Sequence, residues 1–403
     1  MSWEKVKFGD LYEVPSRNGL TKPSKVRGTG YKMINMGELF ANNRIYDIPM
    51  EFVPLTDSEK KNCKVERDDL LFARQSLVLE GAGKCSIIMD VSPMTVFESH
   101  LIRIRLNHAK AHPMFYYYYF SSSCSPIKSI VSQCAQAGIR GSDLGELYVE
   151  FPPLATQRRI ADILSAYDDL IENNRKQIKL LEESAQRLYK EWFVDLRFPG
   201  HEHTKIMNGV PEGWGIYRFS DKVDIMSGGT PKTDNPNYYN GTIPFYTPKD
   251  SDDAFFAFET ITNITEEGLN NCNSRLYPKN TVIITARGTV GKTTLLAVPM
   301  AMNQSCYALK SDNIKAPYYL FFALNKEIAS LKAMSNGGVF NTIIVKTFDS
   351  IHIAIPSNNL ITSFETLVTP IMEQIKTKTR EIFVLVEARD RLLPKLMSKE
   401  VEV

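Results

Sequence analysis

Few residues in this chain stand at spacings that do chemistry. The segment Ala286-Arg-Gly-Thr-Val-Gly-Lys-Thr293 fits a relaxed phosphate-loop pattern and follows an apolar, strand-like run. A working phosphate loop needs a helix to open at its Lys-Thr, so that backbone N–H groups and the helix dipole meet the phosphates. Here the chain continues Thr-Leu-Leu-Ala-Val-Pro299, too short and strand-like for such a helix, and the strict first glycine is absent. His201-Glu-His203 offers two imidazoles in a linker, with no third ligand in sequence range. The six cysteines form no Cys-x-x-Cys pair, and no Cys/His cluster has zinc spacing. No catalytic residue, metal site or cofactor site is assigned.

The elements that would position any site come next. With 403 residues, 43% hydrophobic and 23% charged, the chain has the make-up of a globular protein with room for two cores. No stretch reaches the roughly 18–20 apolar residues of a membrane span. Met1-Ser-Trp-Glu-Lys-Val-Lys has no apolar core of a signal peptide. A reduced, cytoplasmic chain is expected. Net charge is only +2, but the charge is uneven. Leu101 to Arg140 holds five basic and no acidic residues, and Arg287 to Lys346 seven basic and two acidic. Such patches attract polyanions, although they also occur on proteins that bind none.

The chain is written twice. Ala73-Arg74, after Leu70-Leu-Phe, is matched by Ala286-Arg287, after Val282-Ile-Ile-Thr. Pro113-Met-Phe-Tyr-Tyr-Tyr-Tyr-Phe is matched by Pro317-Tyr-Tyr-Leu-Phe-Phe-Ala-Leu, and Phe151-Pro152 by Ile355-Pro356, both 204 positions on. Trp3 and Phe8 match Trp214 and Phe219, 211 positions on. A repeat this long is a duplicated domain, not a solenoid.

Each copy ends in a long helix. Ile160, Leu164, Tyr167, Ile171, Asn174, Ile178, Leu181, Ala185, Leu188 and Trp192 alternate steps of four and three. Phe364, Val368, Ile371, Ile375, Lys378, Ile382, Leu385, Arg389, Leu392 and Leu396 do the same, each 204 residues after its counterpart. Steps of four and three keep one stripe facing a partner helix, so the two helices are expected to pair as a coiled coil. A stripe of this kind also suits a helix packed on its own domain. Asn174 and Lys378 fall at the same seam position, where a polar residue fixes register at some cost in stability. Each seam is roughly 48 Å long at 1.5 Å per residue. An antiparallel pair would put the two globular domains at opposite ends.

Within the globular halves the periodicity is short and strand-like, with helical segments near Met114–Ser132 and Tyr318–Met334 and dense turn signals such as Ser227-Gly-Gly-Thr-Pro and Gly337-Gly338. The fold class expected is α+β, with two repeated domains separated by two long helices. The boundaries are a first globular domain over 1–153, a first long helix over 154–200, a second globular domain over 211–356, and a second long helix over 357–403. The run Tyr116–Tyr119 could stack on bases but is expected to supply core, and Asn235-Pro-Asn-Tyr238 is expected to be a turn.

Ser227-Gly-Gly-Thr-Pro-Lys and Asn237-Tyr-Tyr-Asn-Gly-Thr-Ile-Pro-Phe-Tyr-Thr-Pro-Lys-Asp250 resemble the opening of a target-recognition domain of type I restriction–modification specificity subunits. Phe151-Pro-Pro-Leu-Ala-Thr-Gln-Arg-Arg-Ile-Ala-Asp-Ile-Leu-Ser resembles that family's domain end and spacer helix, with Thr156-Gln157 where Glu-Gln is usual. The second copy departs further, reading Ile355-Pro-Ser-Asn-Asn-Leu-Ile-Thr. The resemblance covers essentially the whole chain. It implies a non-catalytic DNA-binding subunit that reads a bipartite double-stranded site, one half per domain, while the paired helices set the gap. It also implies two methyltransferase subunits and restriction subunits as partners, which would carry S-adenosylmethionine and ATP.

Base reading needs paired donors and acceptors, Arg or Lys for guanine and Asn or Gln for adenine. Candidates in the first half are Arg74, Gln75, Gln133 and Arg140, and in the second Lys249, Arg287, Asn303, Gln304 and Asn341. Lys22, Lys25, Arg27, Lys232, Lys292 and Lys332 suit phosphate contacts, which position without specifying. Alternative readings are a P-loop NTPase or DNA methyltransferase, or a coiled-coil scaffold joining two protein-binding domains.

Overall fold

The computed structural model describes residues 3–76, 81–133, 137–207, 209–311, 314–334 and 342–403. The chain forms two compact units, Met1–Glu172 with Ile382–Val403, and Asn173–Glu381. Each unit holds one α+β domain and a part of both long helices, so the division falls inside the helices.

The two domains share the topology of their closing strand pair, main sheet and second sheet. Each closes on itself: Glu4–Lys7 pairs antiparallel with Tyr148–Phe151, and Gly215–Arg218 with His352–Ile355. The main sheet of the first runs, in spatial order, Tyr12–Asn18, Leu101–Leu106, Leu70–Ala73, Cys85–Ile88, Arg44–Ile45. That of the second runs Asp224–Ser227, Cys306–Lys310, Val282–Thr285, Thr293–Leu296, Phe256–Ala257. In both, only the last pair is parallel. The strands Leu70–Ala73 and Val282–Thr285 are buried throughout, which is why they read as continuous apolar runs rather than alternating ones. A second, three-stranded sheet also recurs, with Tyr31–Ile34 central in one and Tyr239–Tyr246 in the other.

A helix with proline at its start, Pro113–Ser121 or Pro317–Met334, packs on each main sheet. Tyr116 to Tyr119 are all buried, as core. Two of the buried hydroxyls donate: that of Tyr116 to the Glu150 carbonyl at 3.1 Å, and that of Tyr118 to Asp168 at 2.6 Å. Asn235 precedes a single turn at Pro236–Tyr238.

The first long helix spans Leu154–Tyr189 and passes into a wider turn over Lys190–Val194, which swings Trp192 and Phe193 into the core. The second spans Asn358–Met397 and runs through Pro370 and Pro394, each of which lacks the amide for an intrahelical bond. Burial of Phe364, Val368, Met372 and Ile375 on either side of Pro370 offsets that loss. No seam residue is exposed. Ile160, Leu164, Ile171, Asn174, Phe364, Val368 and Ile375 are buried, while Tyr167, Ile178, Leu181, Ile371, Lys378, Ile382 and Leu385 are half-buried.

The pairing is antiparallel within each unit. In the first, Ile160 and Leu164 share a core with Leu392, Leu393 and Leu396, while Asp168 meets Arg389. In the second, Trp192 and Tyr189 lie against Phe364, with ring centroids 6.1 Å apart in both pairs, and Asn174 donates to Glu381 at 3.0 Å. Rising numbers on one helix thus meet falling numbers on the other. The polar seam residue Asn174 is satisfied by Glu381. The helices also dock on the domains: Tyr189 and Phe193, at the end of the first, and Phe364, near the start of the second, form one aromatic cluster with Tyr319 and Phe322 of the second domain. Burying each such ring is worth about 1.5–3 kcal/mol.

Candidate nucleic-acid interface

In each domain the polar candidates gather at one end of the main sheet, where its central strands stop. The first domain shows how. Strand Leu70–Ala73 delivers Arg74, whose N–H donates to the His100 carbonyl at 2.8 Å and whose carbonyl accepts from the Ile139 N–H at 2.9 Å. Gln75–Ser76 then pairs with Ala137–Gly138, which pairs with Ser132–Gln133. This small ribbon brings Arg74, Gln75 and the backbone of Gln133 together, and Arg140 follows it, exposed, at the start of the helix Gly141–Glu146. The Gln75 Oε1 lies 2.9 Å from the His100 Nδ1.

A second group joins it through the loop after Thr95–Phe97. Glu98 accepts from the Met36 N–H, and the Leu20 N–H donates to the Phe97 carbonyl at 2.8 Å. Gly19 passes so close to this loop that a Cβ there would lie 2.1 Å from the Phe97 oxygen. Arg27 lies beside Asn35, whose Oδ1 is 3.3 Å from its Nη1, and is ion-paired with Glu51. Lys22, with only 13% of its side chain exposed, is held by Glu59 at 2.8 Å. Hydrogen bonding from Lys22 and from the Thr56 N–H holds the Glu59 carboxyl below its ordinary range, against the pull of burial. Lys25 is exposed and has no ion-pair partner among the described residues.

The second domain repeats the frame with other side chains. Thr285 ends its strand, and exposed Arg287 follows Ala286. The loop after Ala301–Met302 carries Asn303, whose Oδ1 accepts from the Ser305 N–H at 3.0 Å, and exposed Gln304, hydrogen-bonded to Thr230. Gly228 approaches that loop as Gly19 does its own; a Cβ there would lie 2.3 Å from the Met302 oxygen. Lys249 and Lys232 are exposed. Lys292 is ion-paired with Asp253, and Lys332 donates to the Gly291 carbonyl at 3.2 Å. Asn341 lies outside the described residues.

The ladders overturn one sequence correspondence. Leu101 pairs with Ala73 in the first domain, and Cys306 with Thr285 in the second. The Arg74 N–H donates to the His100 carbonyl, and the Ala286 N–H to that of Ser305 at 2.7 Å. Arg74 is therefore equivalent to Ala286, and Arg287 stands one residue further out. Matching the Ala-Arg dipeptides slips the register by one, which turns a side chain to the other face.

The candidates thus sort by availability. Lys22, Arg27 and Lys292 are already paired with carboxylates, which compete with phosphate. Lys25, Arg140, Lys232, Lys249 and Arg287 are exposed and not ion-paired among the described residues. Sequence reasoning missed Asn35, Glu51, Glu98, His100, Thr230 and Asp253. A signal existed for Asn35: it opens a capping box with Glu38, and Thr247 opens one with Asp250 at the equivalent place. The phosphate-loop look-alike is a turn with left-handed Gly288 and Gly291 that enters the strand Thr293–Leu296, so no helix dipole faces it.

Residues 1–183 and 211–364 match the family described as type I restriction modification DNA specificity domain. The whole chain is 25% identical to the type I restriction enzyme MjaIX specificity subunit of Methanocaldococcus jannaschii, over 94% of that protein. It is 22% identical to the HindI specificity subunit of Haemophilus influenzae, over 99% of each chain. The crystal structure of a type I restriction-modification S subunit from M. genitalium superposes with a TM-score of 0.62, at 17% identity, over 98% of this chain and 96% of that one.

Proposed function

The chain belongs to the type I restriction–modification DNA-specificity family, and from that premise we propose that each of its two domains reads one half of a bipartite DNA site while the paired helices set the gap. One observation carries this reading. The same fold occurs twice, and the loop at the same end of each main sheet reads Phe97-Glu-Ser-His100 in one and Met302-Asn-Gln-Ser305 in the other. A shared frame with different donors and acceptors is what two different half-sites require.

The exposed basic residues Lys25, Arg140, Lys232, Lys249 and Arg287 hold the phosphate backbone, and the loop residues beside them meet base edges. The chain supplies recognition and leaves chemistry to its partners. Two methyltransferase subunits assemble on it, and restriction subunits join them. S-adenosylmethionine and ATP belong to those partners. A chain that binds cellular DNA works in the cytoplasm in this reading. Among the described residues no helix is long and apolar enough to cross a membrane.

Methylome sequencing of the host with and without this gene tests the reading. A methylated motif with two specified halves and an unspecified gap should vanish on deletion. An unchanged methylome, in a host that expresses the chain and a methyltransferase, contradicts it.

A further inference from the structure

Both domains carry a second shared feature, away from the reading loops. The strand Leu101–Leu106 starts beside His100 and runs away from it, about 20 Å at 3.3 Å per residue. At its far end a cavity of about 350 Å³ opens against the start of the helix Pro113–Ser121. A cavity of about 350 Å³ opens at the same place in the second domain, against the start of Pro317–Met334. The ladder correspondence sets Asp68 with Asn280, and both adopt a left-handed backbone, φ 71° and 64°. The residue before each is basic and exposed, Arg67 or Lys279.

The linings are basic in both, though built from different residues. Arg67, His108 and Arg158 face Asp68 in the first, and Lys279, Lys310 and Lys315 line the second. Arg67, Arg158 and Lys315 are exposed and make no ion pair among the described residues. The Nδ1 of His112, another lining residue, is buried without a partner there. A buried polar atom left unpaired is costly until something binds it.

We propose that the two cavities are docking sites for acidic side chains of a protein partner, one copy of the same partner per domain. Two arguments select that occupant. The reading loops differ between the domains but the basic cavities recur, so the occupant is common to both halves. The cavities also lie at the end of the sheet opposite the reading loops, off the surface offered to DNA. The partner of which two copies are needed is the methyltransferase subunit; this identification rests on the function proposed above.

The test is native mass spectrometry of the full chain co-expressed with its methyltransferase subunit, without DNA. Wild type should carry two copies. Arg67→Glu with Arg158→Glu should carry one, as should Lys279→Glu with Lys315→Glu. All four together should weaken assembly at least tenfold, with an unchanged melting temperature. Arg67→Lys with Arg158→Lys, which keeps the charge, should restore two copies. Charge-reversed variants that still carry two copies overturn the docking proposal and leave the function untouched. Variants that keep two copies but lose affinity for all DNA sequences also overturn it, because the cavities then hold phosphate. A wild-type chain that carries no methyltransferase overturns the functional reading itself.

Discussion

Asp168, on the first long helix, is ion-paired with Arg389, on the second, and its other carboxylate oxygen accepts a 2.6 Å hydrogen bond from the Tyr118 hydroxyl. The equivalent layer, 204 residues away, is apolar: Phe322, Met372 and Ala185, all buried. The same geometry is thus filled by charges once and by hydrocarbon once. Breaking a buried pair strands the remaining charge, whereas replacing the pair by packed apolar groups is often neutral or better. Arg389→Ala alone should therefore destabilise by about 3 kcal/mol, at the low end for such changes because the guanidinium is partly exposed. Adding Asp168→Met and Tyr118→Phe should recover most of it. Denaturation midpoints check this; a triple variant no more stable than Arg389→Ala contradicts it.

Glu365 gives a pH signature. Its carboxylate accepts from the Tyr319 N–H at 2.7 Å, at the start of the helix Pro317–Met334. Burial pushes its carboxyl up to about 7, against the hydrogen bonds from Tyr319 and Tyr318. The folded state therefore holds this proton more tightly than the unfolded chain. The stability it contributes is full below pH 4.5 or so and is lost as pH rises through about 7. In the first domain a neutral amide acts nearby: Gln157, one turn before the position that matches Glu365, accepts from the His112 N–H at 2.8 Å. Glu365→Gln should raise stability at pH 8 by on the order of 1–3 kcal/mol and leave it nearly unchanged at about pH 4. An equal shift at both pH values would contradict the assignment.

The register correction separates the two arginines. Arg74 is half-buried, its backbone sits in the ladder, and its Nη1 lies 3.4 Å from the Ser99 carbonyl. Arg74→Ala should lower the melting temperature and leave the salt dependence of DNA binding unchanged. Arg287→Ala should weaken binding to cognate and unrelated DNA alike and lower the salt slope by about one. Binding at several salt concentrations decides; a loss confined to the cognate site would make Arg287 a base reader.

The long elements were legible in the sequence because periodicity reports them directly. The two seams, 204 residues apart, gave both helices, and the matched apolar runs gave the central strands. Helical spacing implied core on one side of the run Tyr116–Tyr119; all four are buried because the helix is covered all round, from Pro113 to Phe120. What the sequence hid was local pairing. The Ala-Arg dipeptides match as letters, yet one sits a residue later in its ladder, and only hydrogen bonds report that. Lys22, Arg27 and Lys292 looked free for phosphate because Glu59, Glu51 and Asp253 come from distant positions. Asn174 was recognised as a polar seam residue, but its partner Glu381 lies outside the seam pattern. The seam pattern runs straight through Pro370 without registering it, and the structure carries that proline inside the second helix.

The helices as ruler can be tested by length. Inserting seven residues in register after Asn174 and after Lys378 keeps the seam and should lengthen the paired rod by about 10 Å. The gap in the methylated motif should grow by roughly three base pairs, with both halves unchanged. An unchanged gap means the helices do not set the spacing.

The most direct test of the central claim is methylome sequencing of a host whose chain has residues 230–341 replaced by the matching part of another family member. The account predicts a methylated motif whose first-domain half and gap length are retained and whose other half is new. A motif in which both halves change, or neither does, would contradict the claim that each domain reads one half.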